Sequence, residues 1–300
     1  MKTEEYLRYL SSVKNYSEQT LRAYAEDLRK FENYIKSEQL DVFNLDANCA
    51  RRFIAGISEK GLAKTSVNRI LSAMKGYYEW LKKNGQTKHN PFENMKSLKR
   101  NRDLPDYMFE DEIELLFSLT GNGFAGLRDR FILELLYSTG CRVTEAALIN
   151  IADINFKDRS IRVRGKGSKE RIVYLGQSAV DCLGEYLPLK NSRTDKEDPD
   201  AANALLINLR GRRITQRGIA LIIEKYVKKS GMAKKISPHS FRHSFATHLI
   251  DNGADIRIVQ ELLGHESLST TQIYTHMGIE KLRTVYRDAH PHAERHGVNR

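Results

Sequence analysis

Apolar residues recur at three- and four-residue steps through the first third of the chain. Leu21, Tyr24, Leu28, Phe31 and Ile35 form one such stripe, and Ser17 before them suits a helix N-cap. Asp46 opens a second stripe carrying Phe53, Ile54 and Ile57, stopped near Gly61. Ser66 opens a third, with Val67, Ile70, Leu71, Met74, Tyr78 and Leu81, closed by Gly85 and Pro91. Three amphipathic helices are therefore expected. Residues 96–106 then lose all periodicity, are rich in lysine and arginine, and are broken by Pro105, as a linker would be.

From residue 107 the pattern is mixed. Apolar helices surround one stretch of strict alternation, Ser160–Arg164 and Arg171–Leu175, joined by Gly165-Lys166-Gly167-Ser168-Lys169. Alternation on both sides of a glycine-rich connection predicts a β-hairpin. Residues 190–203 are polar and predict a loop. The reading is a mainly α, two-domain chain. A helical domain spans 1–95, a linker 96–106, and a mostly α, mixed α/β domain with a small β-hairpin spans 107–300.

Charge then narrows the partners. The net charge is +11, and it is unevenly spread. Residues 51–100 hold 12 Lys and Arg against 3 Asp and Glu, and residues 201–250 hold 10 against 1, whereas residues 1–50 and 101–150 are acidic. Two basic zones suit a chain that grips one polyanion from two surfaces, because neutralising phosphates and releasing counterions drive such binding. Lys75, Lys82 and Lys83 lie on or beside the third helix, where its polar side could meet phosphates. Nothing approaches the roughly 20 apolar residues of a membrane span, the start MKTEEYLRYL lacks the pattern of a signal peptide, and three widely spaced cysteines suit a reducing compartment. A cytoplasmic protein without membrane partners is expected.

Several residues could carry chemistry on a phosphodiester. Arg142 follows Gly140, where one apolar helix ends and another begins, a junction that offers N–H groups and a guanidinium to a phosphate. Glu145, one turn on, could orient it. His239 and Arg242, three apart after Ser237-Pro238, share one face near a helix start. His265 follows a break at Gly264, and Tyr274 lies nine residues further on. Two arginines, two histidines and a tyrosine suit a phenol that attacks phosphorus while cations hold the charge that develops. The histidines His239 and His243, four apart, have no acidic or cysteine ligand at a supporting spacing, so no metal and no cofactor is expected. His290, His292 and His296 read as surface residues. For reading bases, Thr215, Gln216 and Arg217 open a helix, with Arg212 and Arg213 placed for phosphates.

Taken in order, Arg142 with Glu145, Lys166 in its β-turn, His239-Ser-Phe-Arg242, Leu262-Leu-Gly-His265 and Tyr274 resemble the tyrosine recombinases of the phage integrase family, and within it the Xer branch that resolves chromosome dimers. The resemblance implies a helical core-binding domain, a catalytic domain, and a tetramer on two DNA recombination sites, built from this chain alone or with a paralogous recombinase, with a DNA translocase among candidate activators. It implies a 3′-phosphotyrosyl bond made by Tyr274. Arg142 and Arg242 would hold the phosphate oxygens, His239 and His265 would move protons, and Lys166, favoured over Lys169 by the Gly-Lys-Gly match, would protonate the leaving 5′-oxygen. It further implies that the tail helix bearing Leu282, Val285 and Tyr286 docks on a neighbouring protomer, with packing in cis as the alternative.

Other readings remain open at this point. A mobile-element integrase would share these motifs, although the short amino terminus speaks against an arm-binding phage enzyme. A topoisomerase-like nickase would share the chemistry. Residues 254–273 also have the periodicity of a helix-turn-helix, as in a non-catalytic DNA-binding regulator, which would leave Arg142, His239, Arg242 and Tyr274 without a joint purpose.

Overall fold

The computed structural model describes residues 1–99, 107–165, 170–264 and 276–294. The chain divides into two compact units, Met1–Arg102 and Asp103–Arg300.

Among the described residues the first unit holds four α-helices, α1 (Thr3–Ser12), α2 (Glu18–Ser37), α3 (Ala47–Glu59) and α4 (Lys64–Lys83), with a short 3-10 turn at Val42–Asn44. The expected caps are in place on two of them. Ser17 accepts a hydrogen bond from the N–H of Thr20, and Asp46 accepts one from Cys49, satisfying amides that have no partner inside their helices. Helix α4 starts at Lys64 behind Ala63, two residues before the expected Ser66, with no side-chain cap. The stripes meet in a core of Leu28, Phe31, Phe53, Ile70, Met74, Tyr78, Leu81 and Phe92. Helix α1 has no counterpart in the sequence reading; its Tyr6 is buried among Tyr77 and Trp80. Asp27, fully buried on α2, is held by a two-pronged bond from Arg69, both contacts 2.9 Å. The beginning of the expected linker lies on α4, where Asn68 exchanges two hydrogen bonds with the backbone of Leu98.

The second unit is organised around α6 (Phe124–Thr139), which follows α5 (Glu110–Ser118) and is buried along most of its length. Then come α7 (Val143–Leu148) and an antiparallel sheet of β1 (Ile154–Asn155), β2 (Ser160–Arg164) and β3 (Glu170–Tyr174), in that order across the sheet. The hairpin is as expected, within one residue at each end, with β1 added at its edge. Helices α8 (Gln177–Arg193), α9 (Pro199–Asn203), α10 (Gln216–Ser230), α11 (Pro238–Asp251), α12 (Ile256–Leu263) and α13 (His276–Ala289) complete the unit.

The loop expected over 190–203 is largely helical. Lys190, on α8, is buried and donates to the carbonyl of Ala202, and Asp198 caps α9. Its polarity misled because one long amphipathic stem and one short capped turn carry the burial. Among the described residues no helix is long and apolar enough to cross a membrane.

Candidate active site

Helix α6 ends at Gly140, whose φ of 56° is left-handed. A Cβ there would fall 2.5 Å from the ring of Phe245 on α11, so glycine serves both the turn and the close approach of the two helices. The tight exit sets Arg142 at the N-terminus of α7. Its N–H donates to Glu145 Oε2 and its Nη1 to Glu145 Oε1, both at 2.8 Å. The rest of the Arg142 side chain is partly open, 39% exposed, whereas Glu145 is buried.

Arg242 comes from the other side, on α11. Its Nη1 donates to the carbonyl of Gly140 at 2.7 Å and its Nη2 to that of Leu263 at 2.6 Å. One guanidinium thereby bridges the end of α6 and the end of α12, where last-turn carbonyls lack helical partners. Burial, with the nearby charges of Arg142 and Arg171, lowers the Arg242 pKa to about 10, so it is still a cation at neutral pH. Burial would raise the Glu145 carboxyl, but hydrogen bonds and charge from Arg171 and Arg142 outweigh it, and its pKa lies below the usual carboxylate value. Three guanidiniums and one carboxylate leave a local excess of positive charge suited to an anionic, pentacoordinate phosphate.

Arg171 is the member that sequence reading missed. It pairs with Val163 across the hairpin and points to the same buried side as Val173. The available signal was a charged residue in the inward register of an alternating strand.

His239 stands exposed in the first turn of α11, after Pro238 at its start. Lys166, His265 and Tyr274 lie outside the described residues, as do Lys169 and His296. Their described neighbours are the ends of β2 and β3 on either side of residues 166–169, and Gly264, left-handed at φ 66°, immediately before His265.

The proposed DNA contacts divide. Lys82 and Lys83 are exposed on α4, and Lys75 donates to the carbonyl of Glu93. Thr215 caps α10 by accepting from Gly218, leaving Gln216 and Arg217 exposed at the helix start. Arg212 pairs with Asp195 at the surface. Arg213 departs from expectation. Its guanidinium is spent on Asp200, Asn150 and the carbonyls of Ala147 and Ile149, which makes it a brace between α7 and α9 instead of a free phosphate contact.

The tail also needs correction. Leu282 and Tyr286 of α13 are buried, and Val285 half-buried, against α11 and α12 of the same chain. The Tyr286 hydroxyl lies 2.7 Å from Ser138 Oγ, and its ring stacks on His290 at 5.0 Å. The face read as a donor to a neighbour is thus occupied in cis, since a Tyr hydroxyl with a buried partner anchors the helix where it stands. His290 and His292 are not surface residues either. His290 is buried, its Nε2 at 3.2 Å from the Tyr137 carbonyl and its Nδ1 accepting from the N–H of His292. His292 sits between Glu114 and Glu134.

Those two bonds require neutral His290, with its proton on Nε2. Burial, with help from His292, lowers its pKa to about 3. The stability it contributes is therefore complete above the free value near 6.5 and is lost as pH falls from there towards 3. His292 opposes this in part, because the pull of Glu134 and Glu114 exceeds its burial penalty and its pKa is raised. His290→Asn keeps an acceptor near Nδ1 but does not titrate. Between pH 7 and 5 it should lose markedly less melting temperature than wild type; equal slopes would show that His290 is not the sensor.

Comparison with known proteins completes the assignment. Residues 106–281 match the Phage integrase family, and residues 3–85 match the phage integrase N-terminal SAM-like domain. The chain belongs to the phage integrase family, whose members of this type are tyrosine recombinases that cleave and rejoin DNA at specific sites. Among its relatives, "Tyrosine recombinase XerC" of Thermodesulfovibrio yellowstonii is 42% identical over 288 residues, 95% of either chain. That of Treponema denticola is 40% identical over 302 residues, covering 97% of this chain and 98% of its own. The fold is shared with the XerH recombinase bound to its difH substrate (TM-score 0.70, 23% identity, 95% of this chain and 84% of that one). It is also shared with the Tn1549 transposon integrase in complex with DNA (TM-score 0.73, 17% identity, 95% and 94%).

Proposed function

We propose that this recombinase acts on duplex DNA at two recombination sites and resolves chromosome or plasmid dimers, with Tyr274 as nucleophile. The observation that supports the site is the buried network in which Glu145 holds Arg142 and two helix-end carbonyls hold Arg242, the two cations close enough for their charges to interact. The XerC names of its relatives support the dimer-resolving branch over a mobile-element role.

In this reading the Met1–Arg102 unit and the basic start of α10 grip the duplex, while the catalytic unit engages the scissile phosphate. The Tyr274 oxygen attacks phosphorus as the 5′-oxygen leaves with a proton from Lys166, giving a 3′-phosphotyrosyl bond. Arg142 and Arg242 hold the non-bridging oxygens through the transition state. His239 and His265 assist proton movement. The new bond conserves the energy of the old one, so a 5′-hydroxyl from another strand reverses the step without ATP. Four protomers, of this chain or of this chain and a paralogue, hold the two sites in the cytoplasm, with a DNA translocase as a candidate activator.

The test is a nicked suicide duplex carrying the site found by footprinting the chromosome terminus region. A covalent protein–DNA adduct whose peptide maps to Tyr274 is expected; site binding without any adduct would favour a non-catalytic regulator. The proton donor has its own test. Lys166→Ala should slow cleavage of ordinary DNA yet cleave a 5′-bridging phosphorothiolate at close to the wild-type rate, because a thiolate leaves without a proton. Rescue seen for Lys169→Ala instead would transfer the role to Lys169.

A further inference from the structure

We propose that Arg171 is a positioning residue for strand cleavage: it ties the Glu145 carboxylate to the backbone of Leu262, holding Arg142 and the chain that enters His265 in one frame. This rests on the recombinase reading above.

A guanidinium on the inward side of a strand must find partners, because an unpaired buried charge is strongly destabilising. Arg171 finds three contacts. Nη1 and Nη2 grip Glu145 Oε1 and Oε2 at 3.0 and 2.8 Å, and Nε donates to the carbonyl of Leu262 at 3.1 Å. The planar fork makes the carboxylate grip directional, which an ammonium could not do. Glu145 thus accepts from Arg171 twice and from Arg142 twice.

The two arginines differ in what they can reach. Arg171 spends Nε, Nη1 and Nη2 on Leu262 and Glu145, whereas the Arg142 guanidinium spends only Nη1 on Glu145 and is 39% exposed, so of these two it is Arg142 that is open to a phosphate. The charge of Arg171 neutralises Glu145 from behind. Without it, a buried carboxylate would have Arg142 as its sole bonded cation, and the positive potential facing the phosphate would fall.

The link to α12 is equally specific. Arg171 and Arg242 hold the consecutive carbonyls of Leu262 and Leu263, at a helix end that favours cations. The next residue, Gly264, crosses the Arg171 side chain so closely that a Cβ would lie 2.9 Å from Arg171 Cδ. One side chain therefore joins the start of α7 to the end of α12, and lies in the chain just after Lys166 and Lys169.

Single-turnover cleavage of the suicide duplex by full-length protein, from pH 6 to 8.5, together with gel-shift affinity and melting temperature, tests this. Arg171→Leu should bind DNA within about threefold of wild type but cleave at least a hundredfold more slowly at pH 8. Its deficit should shrink as pH falls, because protonation of the abandoned Glu145 removes its negative charge and restores the positive potential at Arg142. Glu145→Gln with Arg171→Leu should recover tenfold or more over Arg171→Leu alone. If Arg171→Leu does not fold, Arg171→Lys, which keeps the charge but loses the fork, carries the test through a deficit of tenfold or more. Cleavage per folded molecule equal to wild type, or a deficit with neither pH dependence nor recovery in the pair, would overturn the assignment. Absence of an adduct in wild type would instead overturn the function reading, and this role with it.

Discussion

Tyr274→Phe is expected to bind the recombination site as wild type does and to form no covalent complex at all. The substitution removes one oxygen and leaves every basic residue of α4 and α10 in place, so the electrostatic part of binding is untouched. What it removes has no substitute. A free tyrosine has a pKa of about 10, so forming phenolate at neutral pH costs about 4 kcal/mol, and in the proposed mechanism Arg142 and Arg242 offset that cost for this phenol. Denaturing electrophoresis after incubation with the nicked suicide duplex reads the result directly. An adduct formed by the Phe variant would exclude Tyr274 and send the search to another tyrosine.

Arg242→Lys should lower the cleavage rate by a factor on the order of 10²–10³, the effect of removing one aligned transition-state donor. Charge is kept in this variant, so a fall of that size would come from geometry. The guanidinium of Arg242 reaches the carbonyls of Gly140 and Leu263 at the same time and still carries further N–H groups. An ammonium is a compact point charge and cannot span both carbonyls while presenting a donor in a fixed plane. Single-turnover rates on the suicide duplex, with melting temperature as a control for folding, check this. A rate within threefold of wild type would mean that Arg242 acts as a structural tie between α6 and α12 and not as a phosphate ligand.

Much of the local structure was legible in the chain. The stripes of α2, α3 and α4 were readable because each buries one face of a helix, and a period of about 3.6 leaves its mark in sequence. The hairpin of β2 and β3 was readable for the same reason at a period of two. Helix α1 was missed because only Tyr6 and Leu10 are buried on it, too few to set a period. Residues 190–203 were misread because Lys190 is buried by a tertiary contact, and its residue type argues the other way.

The candidate site divides along the same line. Arg142, Glu145, His239 and Arg242 could be named from motif spacing, since each sits at a helix start that proline, glycine or a turn marks. Arg171 could not be assigned a partner, because Glu145 lies 26 residues away and Leu262 lies 91 away. Arg213 was read as a phosphate contact from its basic neighbourhood, and only the approach of Asp200 and Asn150 shows its charge to be spent.

By itself, then, the sequence determined the helical class, the hairpin, the two basic zones, the absence of a long apolar span, and the ordered motifs that place the chain in its family. These depend on short-range spacing and on composition, which a linear chain carries openly. Tertiary structure alone decided which charges are free and which are paired. It put Glu145 between two arginines, turned Arg213 inward, and buried Tyr286 and His290 of the tail against the chain's own α6. The physical reason is that desolvation and ion pairing depend on distances of a few ångströms between residues far apart in the chain, and no periodicity encodes those distances.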